Sequence, residues 1–163
     1  MKRRLILPLL LLALILTGCR SQVWTGQAMQ LGKRTKLTIS APEGVTLTPE
    51  ADSVTSTGGT FLLRNDGDRA LSVSTWYSVE QLQENGKWFS LKPVEGNKNK
   101  NTVWTDEDYV VAPGETRTLA CNWTWLFGKL EPGTYRLVKT ATLPEDGEGE
   151  AKPIYLAGEF TVS

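Results

Sequence analysis

Histidine is absent from all 163 residues. Its absence removes the commonest general base and the commonest nitrogen ligand for metals. Cysteine occurs twice, at Cys19 and Cys121, too few for a disulfide scaffold. No long segment carries the 3.6-residue apolar period of an amphipathic helix. Basic charge is not in excess either, since 18 Lys and Arg face 18 Asp and Glu. Leaving out Lys2, Arg3 and Arg4, 15 basic residues remain against 18 acidic ones, a net charge of about −3. Nucleic acid requires a basic face, so it is not an expected partner. The glycines fall at turns rather than in a phosphate-cradling loop, and the many hydroxyls have no activating base nearby in sequence. These absences assign no catalytic residue, no metal ligand and no cofactor, and the chain is not expected to be an enzyme.

What is present begins with an address. A basic start precedes an apolar run from Leu5 to Leu16, broken only by Pro8, which is the pattern of an export signal. The run is shorter than the roughly 20 residues of a membrane span. Leu16-Thr17-Gly18-Cys19 follows at once and resembles the bacterial lipobox. That resemblance implies cleavage before Cys19 and lipidation of its sulfur. Residues 1–18 are thus expected to be a lipoprotein signal peptide and membrane lipid to be held through Cys19. Each buried acyl CH₂ contributes about 0.8 kcal/mol and one chain anchors only marginally, so a doubly acylated cysteine makes a lasting anchor. The expected location is the cell membrane, lipid-anchored, on its extracytoplasmic face. Residues 19–36 are polar and irregular, with Lys33, Arg34 and Lys36 clustered, and read as a tether spanning at most about 55 Å. Cys121 then has no disulfide partner and reads as a small buried hydrophobe.

Residues 37–163 alternate in short runs between Gly, Pro, Asn and Asp, the pattern of an all-β sandwich of about seven antiparallel strands. The organising stretch is Val110–Lys139, where Pro113-Gly114 and Pro132-Gly133 each open a run. Leu37–Ser40 or Val45–Thr48 supplies the first strand. Ser53–Arg64 follows, with Phe61 and Leu63 on one face and Gly58-Gly59 marking a bulge or a close backbone approach. Asn65-Asp66-Gly67-Asp68 is a turn. Leu71, Val73, Thr75, Tyr77 and Val79 share a core face, which leaves Trp76 outside. Asn85-Gly86 closes a hairpin onto Trp88, Phe89 and Leu91. In Thr116–Trp125 the alternation places Leu119, Cys121, Trp123 and Trp125 inward. Leu126–Leu130 crosses over, Tyr135 and Leu137 point inward from Thr134–Thr140, and Ile154–Val162 ends the body.

Tyr77–Leu91 (YSVEQLQENGKWFSL) and Trp123–Lys139 (WTWLFGKLEPGTYRLVK), with the Pro-Gly-Glu turn at Pro113–Glu115, resemble the bacterial immunoglobulin-like domain family of Gram-positive lipoproteins and secreted proteins. The resemblance runs from about Val45 to Val162. It implies an Ig-like sandwich with no fixed molecular activity. A more distant likeness, through the Asn-bearing turn and the two Pro-Gly turns, is to a bacterial proteinase-inhibitor sandwich.

Lys92–Asp108 is a long polar connection, and connections of that length commonly bind something. Trp104, Asp106, Asp108 and Tyr109 in and beside it form the candidate contact surface. The same acidic residues, or Glu145–Glu148, carry oxygen ligands of the kind calcium takes, but without the loop spacing of a calcium motif. Trp76 and Trp104 are candidates for stacking on sugar. The leading expectation is a monomeric, membrane-anchored extracytoplasmic module engaging another envelope protein. The alternative is a cell-wall glycan-binding or protease-inhibitor-like module.

Overall fold

A computed structural model describes residues 28–94, 108–143 and 152–163. The expected signal peptide, Cys19, Trp104, Asp106 and the Glu145–Glu148 run lie outside the described residues, as does the first half of the expected tether. The described chain forms nine strands and one short helical turn: β1 Gln30–Arg34, β2 Val45–Pro49, β3 Gly58–Asn65, β4 Leu71–Leu82, β5 Trp88–Lys92, β6 Tyr109–Val111, β7 Thr116–Asn122, α1 Thr124–Phe127, β8 Gly133–Thr142 and β9 Pro153–Val162. They make two antiparallel sheets packed as a sandwich. One sheet runs β1-β5-β4-β8-β9, with β6 also paired to β4; the other runs β2-β3-β7.

The alternation dictates the core. Phe61 and Leu63 of β3, Leu71, Val73, Tyr77 and Val79 of β4, and Leu156, Phe160 and Val162 of β9 are all buried between the sheets. At one end Trp123, Phe160 and Tyr135 stack, with centroids 5.1 Å and 5.6 Å apart. Phe61 meets Phe160 edge-on at 5.5 Å. Such pairs add about 0.5–1.5 kcal/mol each beyond the area they bury. Close backbone approach explains Gly58, where a Cβ would stand 2.6 Å from the Cys121 carbonyl oxygen. Gly86 closes the β4–β5 hairpin at φ 70°. Tyr135 Oη, at the start of β8, donates to the Glu131 carbonyl at 2.7 Å, the corner that pins the entry of the corresponding strand in immunoglobulin-type sandwiches.

Two expectations are corrected, and one alternative is decided. The tether expected to run to Lys36 ends sooner, because Gln30–Arg34 pairs with β5. Such an edge strand gains its hydrogen bonds from the backbone and needs no apolar alternation. Of the two stretches offered by the sequence, Val45–Thr48 is the one that forms a strand, as β2, and Leu37–Ser40 forms none. Trp125 is not on a strand face. The Asn122 side chain accepts from Thr124 N at 3.1 Å, and Phe127 N returns to the Trp123 carbonyl at 2.8 Å. The chain therefore turns into α1, and Trp125 is only half-buried.

The face of the larger sheet turned away from β2-β3-β7 is also covered. Thr35 N donates to the Trp88 carbonyl and Ser40 N to the Tyr155 carbonyl, at 3.0 and 2.9 Å. Trp88 and Tyr155 stand on β5 and β9, with β4 and β8 between them. In a flat sheet they would lie about 14 Å apart across the strands and about 20 Å along them. Five residues reach only about 18 Å, so the β1–β5 limb curls over this face. Glu80, Arg136 and Val138 are buried there.

Candidate functional site

A cleft of about 400 Å³ opens between β7 and the inner face of the larger sheet. β7 is an edge strand among the described residues and forms one wall with Thr118–Asn122. Thr75, Tyr77, Tyr109 and Lys139 form the other, and Trp125 of α1 closes an end. The local sequence builds it in two ways. Between Val73 and Tyr77 the β4–β8 pairing slips, which bulges Ser74–Trp76 and turns the Thr75 carbonyl inward. β6 is only three residues long and ends at the turn that launches β7, so Tyr109 is delivered to the mouth between the sheets.

Lys139 is the unexpected member. It occupies the inward register of β8 with Tyr135, Leu137 and Ala141, and it is only 3% exposed. Its ammonium donates to the Thr75 carbonyl at 3.1 Å and lies 5.5 Å from the Tyr109 ring centroid. Burial lowers its pKa to about 8, while the Asp108 charge pulls the other way. Burial pushes the Cys121 thiol up to about 11 and the Tyr109 phenol up to about 12, so both are neutral at ordinary pH. Arg117 Cζ stands 5.8 Å from the Tyr109 ring. The Tyr109 hydroxyl is buried without a hydrogen-bond partner, a cost of about 1–3 kcal/mol. Tyr77 Oη, by contrast, donates to the Asn122 carbonyl at 2.9 Å and ties β4 to β7.

Of the contact residues named from sequence, Asp108 is exposed and accepts from Ser72 Oγ at 3.1 Å. Tyr109 points into the cleft rather than outward. Trp104 and Asp106 fall outside the described residues. Trp76 is 40% exposed and Val110 56%, both on the face away from the core. Cys121 is buried, as a small hydrophobe would be. Among the described residues no three His, Cys, Asp or Glu side chains are grouped to hold a metal ion. Sequence reasoning did not single out Lys139. The available signal was its parity: a cation sits where the alternation of Tyr135 and Leu137 requires an inward side chain.

Two facing antiparallel sheets, the tyrosine corner on β8 and the absence of a long helix among the described residues define an immunoglobulin-like module. The family comparison agrees, since residues 41–154 match the model of the bacterial Ig-like domain. The chain belongs to that family. Membership points to an extracellular structural or binding module, of a family that is generally non-enzymatic. No curated protein and no solved structure matches the chain.

Proposed function

We propose that this chain is an exported, lipid-anchored Ig-like module that engages another envelope protein at the extracytoplasmic face and catalyses no reaction. The signal-like start and the lipobox-like Leu16–Cys19 supply the address. The observation that carries the contact is the outer face of the β4–β6 pair. Trp76 and Val110 are exposed there beside Asp108, and aromatic and apolar side chains with a charged rim are what protein interfaces use. Trp104 and Asp106 lie in the sequence that leads into Asp108 and belong to the same proposed surface. The chain acts as a monomer, and its basic residues Lys33 and Arg34 stay near the bilayer side.

Mass spectrometry of the mature amino terminus tests the address, with acylated Cys19 as the expected first residue. A photo-crosslinker at position 110 of the membrane-bound chain tests the contact. One discrete protein adduct is expected, lost on Trp76→Ser. An intact leader in a cytosolic protein would overturn the address, and an adduct indifferent to Trp76→Ser would overturn the surface. Exposed Trp76 also favours a second reading, stacking on wall glycan; binding to purified peptidoglycan that is lost on Trp76→Ala would select it.

A further inference from the structure

We propose that the cleft beside Lys139 is a binding site for a carboxylate carried on an apolar or aromatic body. An ammonium has three N–H donors, and Lys139 has one hydrogen bond, to the Thr75 carbonyl. Among the described residues the ion pairs are Arg64–Asp66, Arg117–Glu115 and Arg136–Glu80, so no described carboxylate forms an ion pair with Lys139. A second donor, the hydroxyl of Tyr109, is buried with no acceptor, and its residue lines the same cleft. Two under-used donors on residues that line one cleft leave room for an acceptor, and a carboxylate has two oxygens to give.

The remaining surroundings fix the sign and the shape. From β7 come the neutral Cys121 thiol and the Arg117 guanidinium over the Tyr109 ring. From the start of β6 comes Asp108, exposed at the rim and engaged by Ser72. Arg117 is already paired with Glu115, so Lys139 is the cation the interior offers, and the charge that opposes it is Asp108 at the rim. A neutral ligand would leave the ammonium uncompensated, and a cation would be repelled. A single positive charge suits a monoanion better than a phosphate dianion. Leu119, Tyr77 and Trp125 supply an apolar wall for the body of the ligand. The cleft volume of about 400 Å³ falls within the range of small-ligand sites, about 300–1,000 Å³. A free organic acid and the carboxyl end of a polypeptide both present this chemistry.

The test uses the full-length chain in detergent, with benzoate as the free acid and N-acetylphenylalaninate as the chain end. Benzamide serves as the neutral isostere. The Lys139 Cε and Nζ resonances are followed at pH 6.5, together with the melting temperature. A saturable shift at Lys139 is expected with a carboxylate and not with benzamide. Tighter binding of benzoate assigns a free acid; tighter binding of N-acetylphenylalaninate assigns a chain end. Lys139→Met is expected to weaken binding at least tenfold and Tyr109→Phe by less, each with an unchanged β-sheet circular dichroism spectrum. Affinity is expected to fall as pH rises through about 8, where Lys139 loses its proton. No saturable response to either carboxylate, equal binding of benzamide, or undiminished binding by folded Lys139→Met would overturn the proposal.

Discussion

Arg136 and Lys139 stand three residues apart on β8, both buried, and face opposite sides of the sheet. Arg136 is compensated from every direction. Its Nη2 and Nε meet Glu80 Oε2 at 2.6 and 2.7 Å, and its guanidinium lies 4.5 Å from the Trp88 ring centroid. Lys139 faces the other sheet with one carbonyl and one ring. The difference teaches what buried charge is for in this fold. A paired cation under a curled sheet edge holds β4, β5 and β8 in register. An under-partnered cation in an open cleft costs stability and keeps its hydrogen-bonding capacity for something that arrives.

The largest effect is expected on the paired side. Glu80→Ala leaves the Arg136 charge buried without its carboxylate, and breaking such pairs costs about 3–5 kcal/mol. Urea unfolding of the variant measures it; a loss under about 1 kcal/mol would mean the pair behaves as a surface one. Lys139→Met removes an uncompensated charge while keeping the volume. A gain of about 1–3 kcal/mol at pH 7 is expected by the same assay. Equal destabilisation by both substitutions would erase the contrast.

The pH profile sharpens it further. Lys139 has a folded pKa of about 8 against an ordinary 10.5. Between those values the unfolded chain binds more protons, so stability rises with pH. Cys121, raised from 9.0 to about 11, and Tyr109, raised from 10.0 to about 12, act in the opposite sense at higher pH. The Lys139 contribution therefore dominates from about pH 8 to 9. Wild type is expected to gain about 1 kcal/mol from pH 7.5 to 9, and Lys139→Met to show no gain and a slight fall as Cys121 begins to titrate in the unfolded chain. The smallest effect is expected for Tyr109→Phe, which removes an unpaired hydroxyl and should change stability by under about 1 kcal/mol in either direction. Thermal unfolding at pH 7 suffices to check it.

Much of the body was legible because strand alternation is strict wherever one face is buried. Leu71 through Val79, Phe61 with Leu63, and the Asn85-Gly86 hairpin were all fixed by that rule and by turn chemistry. Where other physics decided, the pattern misled or was silent. β1 is held by backbone pairing to β5, and its Gln-Leu-Gly-Lys-Arg sequence carries no strand signal. Trp125 followed the alternation of β7 on paper, yet the Asn122 side chain turns the chain one residue after Trp123. Glu80 occupies an outward register that ordinarily means solvent; a curled edge covers it, and curling depends on contacts far apart in sequence. Of the candidate site, Tyr109 was legible as a residue of interest, but its inward direction was not. Lys139 was hidden because a lysine on a strand is read as solvated unless its neighbours' parity is followed through.

The state of Lys139 bears most directly on this contrast. Titration of its Cε resonance in the intact chain is expected to give a midpoint of about 8. A midpoint at the ordinary 10.5 would show a solvated or carboxylate-paired amine, and the contrast between the two cations of β8 would fall.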